Sequence, residues 1–197
     1  MALLTNNAIF ANARDPDILT DFVVPPGIDP NTITRQYFTY TGFRYATKAN
    51  LTGRTSSLFF TATKKEFPAL EGQGLSVAKI LYPPSVINPP IYHPRSSELL
   101  IVLQGTIEVG FVDTTNKLFV QTLQPNDLFV FPKGLVHFQR NTRSDRCAVS
   151  LAVFGSSNPG AVLIGSSVFG SGIDAEILAK AFKTDPETIS KIIKANE

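Results

Sequence analysis

The chain of 197 residues has no tryptophan, one methionine, one cysteine and two histidines. A lone cysteine, Cys147, excludes an intrachain disulfide. It opens the apolar run Cys147–Phe154, so it reads as an inert, buried thiol rather than a nucleophile. Charge is scarce as well: 17% of residues are Asp, Glu, Lys or Arg, and the formal net charge is +2 without a block of one sign. That leaves no footprint for nucleic acid or an anionic membrane surface. No run approaches the roughly 18 apolar residues of a spanning helix. The first residues, Met1–Asp17, have neither a basic start nor a continuous apolar stretch, so they do not form a complete signal peptide. The expectation is that a signal has been removed or replaced, or that the protein is not exported. The sequon at Asn50-Leu51-Thr52 would accept a glycan only on the secretory route.

What is present is β-forming. Fifteen Phe, 14 Pro and 13 Gly in a chain that is 43% hydrophobic point to one all-β domain with a core of its own. Strand-like runs are expected at 58–63, 75–82, 86–93, 98–103, 106–111, 118–123, 128–131, 136–140 and 147–154, with an edge strand within 34–43. Gln104-Gly105 between two of these runs reads as a hairpin turn. Short strands at this spacing, separated by turn residues, belong to a sandwich or barrel. Residues 1–35, broken by Pro16, Pro25, Pro26 and Pro30, read as an extended arm, 36–170 as the barrel, and 171–197 as a helical pair. Pro186 and Glu187 after Thr184 suggest a capping box, and Ile189, Ile192 and Ile193 form one apolar stripe, expected to be an interface.

Both histidines fall in informative windows. The first is Asn88-Pro-Pro-Ile-Tyr-His93-Pro-Arg-Ser-Ser-Glu98, which runs on to Gly105; the second is Pro132-Lys-Gly134-Leu-Val-His137-Phe-Gln-Arg-Asn141. His93, Glu98 and Gly105, and then Pro132, Gly134, His137 and Asn141, resemble the two cupin motifs in the form carried by plant germins and germin-like proteins. Asp15–Phe22, Phe67-Pro-Ala-Leu70, Leu75–Lys79, Asn158-Pro-Gly160 and Val168-Phe-Gly170 resemble further germin landmarks. The resemblance implies a cupin jelly-roll barrel, an extracellular or apoplastic protein, and dimers assembled into hexamers through the barrel and terminal helices. A cytoplasmic location stays open because no complete signal and no disulfide cysteines are present.

The resemblance also implies a manganese site of three His and one Glu. Here His93, Glu98 and His137 stand at ligand positions, but the first histidine is replaced by Ile91. The glycines that open the motifs are Ser85 and Asn126, and both germin disulfide cysteines are missing, with Val23 where one would stand. Two imidazoles and a carboxylate suit manganese, iron or another borderline divalent ion. With one ligand gone, the expected cofactor is none, or weakly bound manganese. Residues 91 and 93 share a strand face, so Ile91, with Asn88, Leu100, Val102, Phe131 and Phe138, is expected to line a pocket beside the three polar groups.

Three functions follow. The leading expectation is that His93, Glu98 and His137 do acid–base work, such as isomerisation, cyclisation or elimination, on a small apolar molecule. Burial would then raise the Glu and lower the His pKa towards neutrality. The second is a manganese oxidoreductase of germin type, an oxalate oxidase or superoxide dismutase. The third is a non-enzymatic oligomeric storage, wall or receptor-like protein.

Overall fold

The computed structural model describes residues 15–196. Two five-stranded sheets face each other. Their strands are β1 (Leu58–Ala62), β2 (Ser76–Tyr82), β3 (Ile87–Tyr92), β4 (Glu98–Gln104), β5 (Ile107–Val112), β6 (Leu118–Leu123), β7 (Leu128–Phe131), β8 (His137–Asn141), β9 (Ala148–Phe154) and β10 (Val162–Leu163). One sheet runs β1-β2-β9-β4-β7 and the other β10-β3-β8-β5-β6, with every ladder antiparallel. This is the jelly-roll arrangement expected from the strand spacing and the two motifs.

Alternation of side chains decides which face is core. Along Glu98–Val102 of β4 and throughout β9 every second residue is buried, and the register sets Leu100 opposite Ala152 and Val102 opposite Ser150. Leu100, Val102, Ile107, Val109, Tyr82, Phe131, Ala148 and Ala152 interdigitate between the sheets. The five larger aliphatic and phenylalanine side chains among them, Leu100, Val102, Ile107, Val109 and Phe131, stabilise the barrel by about 1.5–3 kcal/mol each.

Four local expectations are corrected. Gln104-Gly105 does not close a hairpin: β4 pairs with β7 and β9, whereas β5 pairs with β6 and β8, so the link crosses between sheets. A tight turn signal looks the same in both cases. The segment 34–43 is not a strand but two 3-10 turns, Arg35–Phe38 and the start of Gly42–Lys48, because Tyr37 and Tyr40 use their hydroxyls to reach the carbonyls of Val23 and Thr61. The helix α3 (Pro186–Asn196) is capped by Asp185, which accepts from the Thr188 N–H at 2.8 Å, not by Thr184. Ile189 of the apolar stripe is fully buried inside this chain, with Leu178 and Ala179 of α2 (Ala175–Ala181) and Val168 and Phe169 of α1 (Ile164–Phe169).

Ser85 and Asn126, at the positions where the resemblance implies glycine, both keep a glycine-like backbone, with φ of 60° and 77°. The turns survive without the residue that adopts them at least cost.

Candidate metal centre

Two sheets and two connections bring His93, Glu98 and His137 together. His93 follows β3 in one sheet. Pro94–Ser97 carries the chain across the barrel, and Glu98 opens β4 in the other. Glu98 is an odd number of residues from His93, yet the two side chains meet because they approach from facing sheets. His137 opens β8, whose register sets it opposite Ile91. A bulge between Asn88 and Ile91 lets both pair on the inner face, opposite Gln139 and His137.

One ligand atom from each of the three residues lies within 4.8 Å of the others. The side chains are nearly out of solvent, with relative exposures of 9% for His93 and 2% for Glu98 and His137. His93 Nδ1 is 2.5 Å from the Gly160 carbonyl and His137 Nδ1 is 3.0 Å from the Leu135 carbonyl. A carbonyl only accepts, so both Nδ1 atoms carry the proton. In the neutral rings both Nε2 lone pairs therefore point inward. His93 Nε2 lies 3.0 Å from Glu98 Oε2, and His137 Nε2 lies 3.4 Å from the same oxygen without forming a hydrogen bond. Three acceptors converge on one point, which calls for a shared proton or a cation between them. A divalent ion that takes nitrogen and oxygen donors fits this set, with His93 Nε2, His137 Nε2 and Glu98 Oε2 as ligands.

The other carboxylate oxygen is held from behind. Gln139 Nε2 donates to Glu98 Oε1 at 2.9 Å, while the Tyr82 hydroxyl and Asn88 Nδ2 donate to Gln139 Oε1 at 2.7 and 3.0 Å. Ser150 completes the chain at the Tyr82 hydroxyl. Gln139 and Tyr82 did not stand out in the sequence, although Gln139 follows His137 at the period of two that keeps it on the inner face. Gly160 stands out in the sequence only as part of the Asn158-Pro-Gly160 landmark, which does not show that its carbonyl meets His93.

Electrostatics run against the expected acid–base pair. Burial alone pushes the Glu98 carboxyl up, but His137 and then His93 outweigh it and hold the carboxyl below its ordinary value. Burial pushes His93 down, but the bonds to Glu98 and Gly160 and the Glu98 charge lift it above its ordinary value. The pair is drawn apart into ions, not together towards neutrality.

The expected pocket residues are placed unevenly. Phe131 stacks on His137, with centroids 4.4 Å apart. Ile91 is half-buried on the same face as His137. Leu100 and Val102 are fully buried in the core. Asn88 is spent on Gln139. Phe138 does not join them. It lies on the opposite face of β8 beside Gly110, where a Cβ would come within 2.6 Å of its ring. An alternating strand cannot turn both 137 and 138 inward. A cavity of about 670 Å³ lies elsewhere, at the seam between β6 and β7, lined by Phe119, Gln121, Leu123 and Phe129 among others.

Comparison with known proteins agrees with this architecture. Residues 43–190 match the cupin family. The chain is 52% identical to a putative germin-like protein 9-2 of Oryza sativa subsp. japonica over 93% of its own length and 86% of that protein's. It is 40% identical to germin-like protein subfamily 2 member 1 of Arabidopsis thaliana, over 98% and 93% of the two chains. Among solved structures, an oxalate oxidase superposes with a TM-score of 0.84 at 27% identity, covering 92% of this chain and 98% of that one; another similar structure is an oxalate oxidase with the substrate analogue glycolate. With two cupin motifs folded into one jelly roll and relatives alike over almost the whole chain, this protein belongs to the germin-like proteins of the cupin family.

Proposed function

We propose that the protein is a germin-type, metal-dependent oxidoreductase in which His93, Glu98 and His137 hold a divalent ion, manganese first, with an affinity lowered by Ile91. One observation carries the reading: two imidazoles locked with Nδ1–H outward aim their Nε2 atoms at a single carboxylate oxygen, and the His137 atom has no hydrogen-bond partner. A buried polar atom without a partner is costly, and a cation at that point satisfies all three donors at once. When bound, such an ion supplies Lewis acidity and one-electron chemistry. The chain's own residues do the rest. Gln139 fixes the carboxylate plane through Oε1, Phe131 walls off His137, and Ile91 leaves an apolar side in place of a fourth ligand. Three protein ligands leave coordination positions open for substrate. By analogy with the glycolate-bound relative, a small carboxylate is the substrate class. The acid–base reading loses its ground, because a carboxyl held below its ordinary value is a poor proton carrier near neutrality. Self-association belongs to the same reading, since Ile177 and Phe182 of the helical region stay exposed.

Metal analysis of the purified protein, with Glu98→Gln beside it, tests the proposal. Stoichiometric manganese or iron in the wild type and its loss in the variant are expected. A wild-type protein that takes up neither ion under saturating conditions overturns it.

A further inference from the structure

The segment Ser156–Gly160 is tied down from both sides, and the tie ends on His93. On one side Asp15 accepts from the Ser156 hydroxyl and the Ser157 N–H, both at 2.6 Å. On the other side Arg95 grips Asn158 twice. Its Nε donates to the Asn158 carbonyl at 2.6 Å and its Nη2 to Asn158 Oδ1 at 3.1 Å. The Arg95 backbone N–H adds a bond to the Pro159 carbonyl at 3.2 Å. Its guanidinium then lies against Gly160, so close that a Cβ there would come within 2.6 Å of Nη2. Gly160 has a φ of 69°, a left-handed conformation in which any side chain is strained. The outcome of these constraints is the position of one atom, the Gly160 carbonyl oxygen, which accepts from His93 Nδ1.

We propose that Arg95 is a positioning residue for His93: through Asn158 and Gly160 it holds the carbonyl that fixes the histidine in its Nδ1–H tautomer, and so aims Nε2 at Glu98 and His137. The side chain of Arg95 is itself exposed and its hydrogen bonds go to Asn158, so it acts through the turn. An exposed arginine two residues after a ligand position looks in sequence like a solvated residue or a substrate anchor, whereas here its Nε and Nη2 are engaged by Asn158. The bidentate geometry matters, because a lysine offers a point charge and not a planar fork. Partners that orient a ligating histidine are worth about 10–100-fold in metal affinity; Arg95 acts one step further out, so the low end, about tenfold, is expected.

The inference rests on the metal-centre reading only for that consequence; the tautomer itself is a property of the metal-free protein. The test is long-range 1H–15N correlation of the His93 ring in metal-free wild type, Arg95→Ala and Arg95→Lys, at a pH high enough to keep the imidazole neutral. A manganese titration of each accompanies it. The wild type is expected as the single Nδ1–H tautomer. Both variants are expected as mixtures, with His137, whose Nδ1 is held by Leu135, unchanged as the internal control. Affinity for manganese should fall about tenfold in Arg95→Ala. The lysine variant keeps the charge and the stem, so it remains readable if the alanine variant folds poorly. A His93 that stays in the Nδ1–H form in both variants overturns the proposal, whatever the metal titration gives.

Discussion

Changing Ile91 to histidine restores a donor where the inner face of the barrel carries an aliphatic group. Ile91 sits directly opposite His137 in the β3–β8 ladder, and direct cross-strand partners have Cβ atoms about 4.5–5.5 Å apart. An imidazole at 91 therefore reaches the point where the other two Nε2 atoms converge. Structural zinc sites with four protein ligands are worth about 10–16 kcal/mol, or about 2.5–4 kcal/mol per ligand. Manganese stands at the weak end of the divalent series, so about half of that, roughly 1.5–2 kcal/mol, is a reasonable gain for a fourth ligand. At about 1.4 kcal/mol per factor of ten, Ile91→His binds manganese about 10–30-fold more tightly than the wild type. The substitution also removes half-buried aliphatic surface, at a cost of about 1 kcal/mol. That cost falls on metal-free and metal-bound protein alike, so it appears in the melting temperature and not in the dissociation constant. Titration followed by the electron paramagnetic resonance of free manganese measures the difference, with Ile91→Ala as the control for lost packing. Equal affinities for wild type and Ile91→His would refute the reasoning, because they would mean that residue 91 does not face the ion.

Other expectations are open to direct measurement. In the metal-free protein the lowered Glu98 contributes stability that is present above its unfolded value near 4.5 and lost as pH falls through the folded value. The raised His93 contributes stability that is complete below its unfolded value of 6.5 and lost as pH rises through the folded value. The melting temperature should thus peak between about pH 4.5 and 6.5 when metal is absent, and Glu98→Gln should flatten the profile; an unchanged profile in the variant would speak against the ion pair. Asn141 is 2% exposed and bonds to the carbonyls of Tyr82, Pro83 and Arg146 while accepting from the Arg143 N–H, so Asn141→Ala should cost about 2–4 kcal/mol by urea denaturation. Ser85→Gly should gain about 1 kcal/mol at its φ of 60°, and Asn126→Gly less, since asparagine tolerates that region better; a loss in either variant would contradict the backbone argument. Sedimentation at micromolar concentration should give an oligomer, which Ile177→Asp weakens; a clean wild-type monomer would remove the self-association.

The fold was legible because its signals are local and repeated. Strands such as Ser76–Tyr82 and Ala148–Phe154 alternate apolar or small residues with a period of two, and Pro and Gly punctuate them. The helical tail announces itself by the spacing of Ile189, Ile192 and Ile193. The ligand positions were legible too, since His93, Glu98 and His137 keep the spacing of two motifs. Pairing was not. Gln104-Gly105 reads as a hairpin in any sequence, and only the competition of β9 and β7 for β4 sends the next strand to the other sheet.

What the sequence determined by itself is therefore the list of groups: two histidines, one glutamate at ligand spacing, an isoleucine where a donor is missing, and an alternating core to enclose them. What only the tertiary structure decided is their chemical state. The carbonyls of Gly160 and Leu135 set the tautomers, Gln139 and Tyr82 hold the carboxylate, and the two imidazoles turn the Glu98 carboxyl towards its ionised form against the pull of burial. Charge and proton position depend on distances between atoms brought together from separate strands and from a turn more than 60 residues away, and local sequence carries no measure of those distances.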